Sequence, residues 1–421
     1  MKKLTNKAVL DKIGDNSKNN HVFISNSEHE KRNKVISDFS DLILENINSI
    51  MEANERDLIN ARKNLVKDSY LDRLKLDKER IILMAEGLKN VENLPDPLNK
   101  TLASWKRPNG LKISRISTPI GVLGVIYESR PNVTADASSL AIKSGNSVIL
   151  RCGSDSFNSC QTIVKLIRKS LSINDLPEDI VQIVPTKDRN AVTYMLKMVS
   201  SIDVIIPRGG KSLVEKIQSE ARIPVFSHLE GICHTYVEKE ADLEKAISIV
   251  TNAKMRRTGI CGATETLIID KEVSANYLPP IVKNLEKLGC YLVGDEYSRS
   301  LCSNIGVATV KDWTTEYLAP QLSIKVVEGI EEAIHHITKY GSQHTDSIIT
   351  ENEKTANFFT THVDSAIVMV NASTQFADGG EFGLGAEIGI STGRLHARGP
   401  VGAEQLTSFK YVVHGSGQIR P

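Results

Sequence analysis

Between Gly121 and Ala221 short apolar runs alternate with segments of helical period, and this alternation limits the fold more than any other feature of the chain. GVLGVIY, Gly121 to Tyr127, is a continuous apolar run suited to a strand buried on both faces. Ser147 to Leu150 reads as a second strand, and Ser156 to Leu171 as a helix with Cys160, Ile163, Val164, Ile167 and Leu171 on one face. Ile180 to Val184 and Ile202 to Ile206 are short β-branched runs around a helix pattern near Ala191 to Val199, and Ser212 to Ala221 follows as another helix. Such a pattern predicts an α/β protein with a parallel sheet covered by helices on both faces, as in dinucleotide-binding domains. The GxGxxG fingerprint is absent. At a strand-to-helix turn stands IPRGGKS, Ile206 to Ser212, where Pro207, Arg208, Gly209 and Gly210 could receive a pyrophosphate at the helix N-terminus; a plain turn would use the same residues.

The first hundred residues are charged, poor in glycine and helical in period, with Ile43, Ile47, Ile50 and Met51 forming one stripe and Leu71, Leu74, Leu76, Ile81, Ile82 and Met84 another. LPDPL and RPNG cannot continue a helix. LKISRISTP, Leu111 to Pro119, alternates as a half-exposed strand, and the tail LTSFKYVV, Leu406 to Val413, is its natural partner. A second α/β series starts near Cys233 and continues through a helix at Asp242 to Asn252. Strands follow at Glu265 to Ile269, Tyr291 to Val293, Leu322 to Val327, Ser347 to Thr350 and Ala366 to Val370. Phe376 to Gly402 is rich in glycine and suits a substrate-lining loop. The expected division is 1–232 for the N-terminal helices and the cofactor domain, 233–402 for a catalytic domain, and 403–421 for an oligomerisation strand that meets 111–117.

The chemistry centres on RRTGICGATETLIID, Arg256 to Asp270. Cys261 sits among Gly259 and Gly262, which permit close approach of another molecule, with Lys254, Arg256 and Arg257 nearby to favour a thiolate. A thiolate so placed is a nucleophile for a carbonyl carbon, although free cysteines are more often small buried hydrophobes. The six cysteines show no CxxC pair and no metal-type spacing with the ten histidines, so no metal is expected and free thiols in a reducing compartment fit better than disulfides. Lys plus Arg at 52 against Asp plus Glu at 51 gives no electrostatic case for nucleic acid. No apolar run approaches the length that spans a bilayer, and the basic start lacks the apolar core of a secretory signal; the cytoplasm is the expected location.

Several long segments carry a resemblance. GVLGVIYESRPNVTADASSLAIKSGNSVILRCGS, the Cys261 segment, VEGIEEAIHHITKYGSQHTDSI and NASTQFADGGEFGLGAEIGISTGRLHARGP are similar to the aldehyde dehydrogenase superfamily, and within it to the glutamate-5-semialdehyde dehydrogenase family. The resemblance runs from about the forties to the C-terminus. It implies a Rossmann-type cofactor domain, an α/β catalytic domain and a small β oligomerisation element, hence a homo-oligomer. It also implies NADPH-dependent reduction of L-glutamyl 5-phosphate to L-glutamate 5-semialdehyde through a thioester on Cys261, with release of phosphate, in proline synthesis. The backbone N–H of Cys261 and a side-chain amide, for which Asn132 is the candidate, would hold the oxyanion; Asn132 suits a helix cap equally.

Where ordinary aldehyde dehydrogenases carry a water-activating glutamate, HLEGICH places His228, with Glu230 two residues on as the alternative. Loss of that carboxylate would spare the thioester from water. Arg151, Gly153 and Ser154 fall at the adenosine ribose, where a missing glutamate and an arginine favour NADPH over NADH; the plain alternative for Arg151 is a surface residue at a strand end. Glu316 matches the glutamate that holds the nicotinamide ribose, or is an exposed loop carboxylate. Glu381, His396 and Arg398 are candidates for the substrate's ammonium and carboxylate, while His335, His336 and His344 read as helix-face and turn packing. Competing readings are an irreversible NAD-dependent oxidation using Glu230 and a catalytically silent partner of glutamate 5-kinase, an enzyme that must in any case supply the substrate and could make transient contact.

Overall fold

Helices open the chain at Asn6–Ser25, His29–Glu45, Ile47–Lys63, Asp68–Leu74 and Lys78–Glu92, in a computed structural model that describes residues 6–66, 68–226 and 228–420. Ile43 and Ile50 are fully buried, but Met51 faces solvent. Asn46 ends one helix and begins the next, which breaks the stripe that spacing alone suggested. The later stripe is interrupted in the same way by Asp77, whose side chain accepts the Arg80 N–H and starts the helix at Lys78.

The chain forms two units, Met1–Ser227 with Gly383–Gly389 and Val401–Pro421, and His228–Phe382 with Ile390–Pro400. The boundaries expected at 232/233 and 402/403 therefore move. Two returning segments join the first unit because Ile388 and Gly389 exchange backbone hydrogen bonds with Val401, and Asn146 donates to the Leu406 carbonyl at 2.8 Å. The glycine-rich stretch is accordingly divided between the units, and the tail is part of the first unit's own sheet.

In the first unit, β1 (Thr101–Lys106), β2 (Lys112–Pro119) and the tail strand (Thr407–His414) form an antiparallel sheet in that order. Its strands leave Leu102, Trp105, Phe409, Tyr411 and Val413 exposed. A second, parallel sheet contains β3 (Val122–Tyr127), β4 (Ser147–Arg151), β5 (Val181–Ile183) and β6 (Val204–Arg208), in the order β5-β4-β3-β6. Strand order reverses beside β3, the point at which open α/β sheets leave a crevice at their C-terminal ends. Gly121 enters β3 at φ +140°, and a Cβ there would lie 2.1 Å from Asp203 Oδ2, the atom that accepts the Val122 N–H.

The second unit is built on a seven-stranded sheet. Its strands are β7 (Cys233–Val237), β8 (Thr264–Asp270), β9 (Tyr291–Gly294), β10 (Gly306–Val307), β11 (Gln321–Val327), β12 (Thr345–Ile349) and β13 (Ile367–Val370), ordered β10-β9-β11-β8-β7-β12-β13. Every pairing is parallel. Leu267 and Ile269 of β8 join one apolar cluster and Ile268 the other, so helices cover both faces. Because the central strands run the same way, the segments entering β11, β8, β7 and β12 lie along one edge. Among the described residues no helix is long and apolar enough to cross a membrane.

Asp57, on the third helix, caps a different helix at a distance. Its carboxylate accepts the Asn158 and Ser159 N–H groups at 3.2 and 2.8 Å and the Ser159 hydroxyl at 2.7 Å, where Ser156 provides no side-chain cap of its own. Asp57→Ala leaves these buried donors unmet, and a loss of about 1–3 kcal/mol is expected from chemical denaturation; an unchanged midpoint would show the cap to be dispensable.

Candidate active site

Cys261 lies in the loop between the helix Leu243–Met255 and β8, half-buried, whereas the other five cysteines are buried. Gly231, in the segment entering β7, fixes its backbone from below. A Cβ on Gly231 would stand 2.1 Å from the Cys261 carbonyl oxygen and 2.6 Å from its Cα, so only glycine fits. The Cys233 thiol donates to the same carbonyl at 3.0 Å. Gly262 is close-packed too, 3.0 Å from the Thr374 carbonyl by the same construction, while Gly259 faces open space and is not sterically required.

Two imidazoles flank the thiol. One ligand-type atom each from His228, Cys261 and His344 lie within 4.8 Å of one another, and the two rings meet edge to face with centroids 4.9 Å apart. His344 precedes β12 directly and is buried; it was read from sequence as turn packing, because nothing in its local pattern shows that β12 pairs with β7. The His228 Nδ1 meets the Ile390 carbonyl at 2.6 Å, a contact that requires a proton on Nδ1. Burial pushes the Cys261 thiol up, yet the charge of His344 and the hydrogen bond from His228 outweigh it and hold the thiol well below its ordinary range. Of the cations expected to do this, Arg256 and Arg257 are exposed and Lys254 is fully buried in an ion pair with Glu265, whose carboxyl burial raises to about 7.

Glu316 enters the site from the segment before β11 and is no exposed loop carboxylate. Its Oε1 accepts the Gly231 N–H at 2.9 Å, and burial raises its pKa. Among the described residues no carboxylate joins the Cys261 cluster, Glu230 included. Of the substrate candidates, Arg398 is already paired with Asp364 at 2.6 Å and bonds the Asp364 carbonyl at 2.8 Å. Glu381 and His396 are exposed, the latter at φ +65°.

The remaining candidates belong to the first unit. Asn132 begins the helix Val133–Lys143 without a side-chain cap; its amide donates to Asp136 at 3.1 Å, and burial lifts the Asp136 carboxyl to about 7. Arg151 is neither a surface residue nor a ready cation. It is buried at the end of β4, bonding the Cys152 carbonyl at 2.6 Å and those of Lys187 and Asp188 at 3.4 Å. Gly153 lies beside Asp155, and Ser154 is exposed. At the end of β6, Pro207 and Arg208 lead into Gly209, whose Cβ would come within 2.8 Å of Glu128 Oε2. Arg208 pairs with Glu387 at 3.3 Å. Burial raises the Glu128 carboxyl and the Gly210 N–H bonds it, so the anion position at this turn is held by a carboxylate in the structure. Lys187 and Arg189, missed from sequence, are exposed cations in the loop after β5. The signal available was their place at the end of a strand in a dinucleotide-type sheet.

The profile of the "Aldehyde dehydrogenase family" matches residues 4–300. The chain belongs to the aldehyde dehydrogenase family. It is 57% identical to the gamma-glutamyl phosphate reductase of Rhodospirillum rubrum over 87% of this chain and 86% of that protein. It is 53% identical to the enzyme of that name from Brucella suis, over 98% of each. The crystal structure of gamma-glutamyl phosphate reductase from Thermotoga maritima superposes with a TM-score of 0.95 at 42% identity, covering 98% of this chain and 100% of that one. An aldehyde dehydrogenase requires a nicotinamide cofactor, and the first unit fits one: strand order reverses beside β3, and the β6 turn holds Gly209 where a side chain would collide with Glu128.

Because the other thiols are buried, iodoacetamide should label Cys261 first. Its rate is expected to titrate with a midpoint well below the about 8.5 of free cysteine, and His344→Asn should move that midpoint upward. A wild-type midpoint at the free-cysteine value would rule out a stabilised thiolate.

Proposed function

We propose that the chain reduces L-glutamyl 5-phosphate to L-glutamate 5-semialdehyde with NADPH, releasing phosphate, as a cytoplasmic homo-oligomer in proline biosynthesis. The names of its close relatives supply the substrate. The observation that carries the chemistry is a cysteine held as thiolate between two imidazoles, with no carboxylate in that cluster among the described residues.

Cys261 attacks the acyl phosphate carbon, phosphate leaves, and a thioester remains on the sulfur. The acyl phosphate is a mixed anhydride and activated already, so the leaving group asks little of the protein. The Cys261 N–H and the Asn132 amide are assigned to the oxyanion. Bound NADPH supplies the hydride that reduces the thioester. Glu316 holds Gly231, and through it the Cys261 backbone, in register while it is available to a ribose hydroxyl. His228 takes the place of the water-activating carboxylate. Its protonated Nδ1 faces a carbonyl, and its remaining nitrogen serves the thiol rather than a water molecule. The thioester thus persists until hydride or phosphate resolves it. Preference for the 2′-phosphate is assigned to Lys187 and Arg189, with Arg151 shaping the loop that bears them through its bonds to the Lys187 and Asp188 carbonyls.

In the reverse direction, NADP+ reduction with pyrroline-5-carboxylate is expected to require inorganic phosphate. A rate indifferent to phosphate would mean that water resolves the thioester and would replace this reading with irreversible oxidation. Assembly is assigned to the exposed Phe409, Tyr411 and Val413 of the tail strand. Removing residues 406–421 should leave monomer or destabilised protein in light scattering, and an oligomer of unchanged mass would exclude that surface.

A further inference from the structure

Cys261 and the two imidazoles beside it are also a donor set. We propose that His228, Cys261 and His344 bind one thiophilic divalent cation of the zinc type, and that the bound cation switches the nucleophile off. One thiolate and two imidazoles favour zinc or copper over magnesium or calcium, which take oxygen ligands. Their ligand atoms lie within 4.8 Å of one another. A tetrahedral zinc ion with bonds of about 2.0–2.3 Å needs ligand atoms about 3.3–3.6 Å apart, so side-chain rotations must draw the three atoms together to close the site.

Two independent details point to a ligand. His344 is fully buried and its Nδ1 meets the Thr345 hydroxyl at 2.9 Å, so Nε2, which has no hydrogen-bond partner beyond the Cys261 sulfur it faces, is the nitrogen left for a cation. His228 shows the outer-shell arrangement of a metal-binding histidine: Nδ1 faces the Ile390 carbonyl at 2.6 Å, which fixes the ring and turns its other nitrogen toward the Cys261 sulfur. Three protein donors leave a fourth position for water or phosphate. Cys261 is half-exposed, which gives the ion an entry route. Binding is a ligand exchange with no redox change: the thiolate and imidazole lone pairs go to the cation, and the proton displaced from the imidazolium goes to solvent. The sulfur is then unavailable to an acyl carbon. The switch rests on the proposed role of Cys261; the binding does not.

Cobalt(II) serves as the probe on the full chain in chelator-treated buffer, without substrate. One equivalent should produce thiolate-to-cobalt charge-transfer absorption in the near ultraviolet, displaced by one equivalent of zinc. Cys261→Ser, or alkylation of the wild-type thiol beforehand, should abolish the band. His228→Asn and His344→Asn should each weaken binding at least about tenfold, since loss of an outer-shell partner alone costs about 10–100-fold. No band in the wild type, or a band that survives alkylation, would overturn the site. Zinc should suppress NADP+ reduction and a chelator restore it. Full activity with cobalt bound through Cys261 would overturn the switch, whereas a phosphate-indifferent rate in zinc-free buffer would count against the proposed reaction and leave the cation site standing.

Discussion

Parallel pairing of β11, β8, β7 and β12 is the constraint on which the site depends. Four strands that run side by side in one direction must begin along one edge, and Glu316, Cys261, Gly231 with His228, and His344 all lie in the segments entering them. Residues far apart in the chain become neighbours without any loop reaching across the sheet. Open α/β sheets commonly place ligands at the C-terminal ends of their strands. The second unit places Cys261 at the N-terminal edge, while the first has its crevice at the C-terminal ends of β3 and β6.

Within that edge, rigidity and charge are supplied by different residues. Gly231 has no side chain and so sits against the Cys261 backbone, and Glu316 holds Gly231 by its N–H. The charge balance at sulfur is set by His344 and His228 against burial, and the imidazoles prevail. Lys254, near the cysteine in sequence, does not take part in this way, since it forms a buried pair with Glu265.

What could be read in the sequence follows from how each element is buried. Strands β3, β4, β7, β8 and β12 are buried along their whole length and stand out as apolar or β-branched runs. β1 is exposed on nearly every residue and carries a bulge between Thr101 and Ala103, so no alternation marks it. Cys261 was legible through its glycines and His228 through its alignment with a known carboxylate. His344 was not, because only strand order brings it to the sulfur. Arg151 and Arg398 were chosen for their charge, but their partners are a set of backbone carbonyls and Asp364, which no local pattern reveals.

The tail strand has a consequence for synthesis. The first unit is discontinuous: β2 has β1 on one side, but its other neighbour is made only at the end of the chain. At about 5–20 residues per second, the 287 residues between Pro119 and Thr407 occupy the ribosome for roughly fifteen to sixty seconds. For that interval β2 presents an unpaired edge, a template for another chain. Lys112 and Arg115 lie on that strand and give nascent copies like charges to repel one another. The second unit is almost continuous and is complete in sequence at Pro400, so the part of the protein that carries Cys261 is able to fold before the unit that precedes it has its last strand.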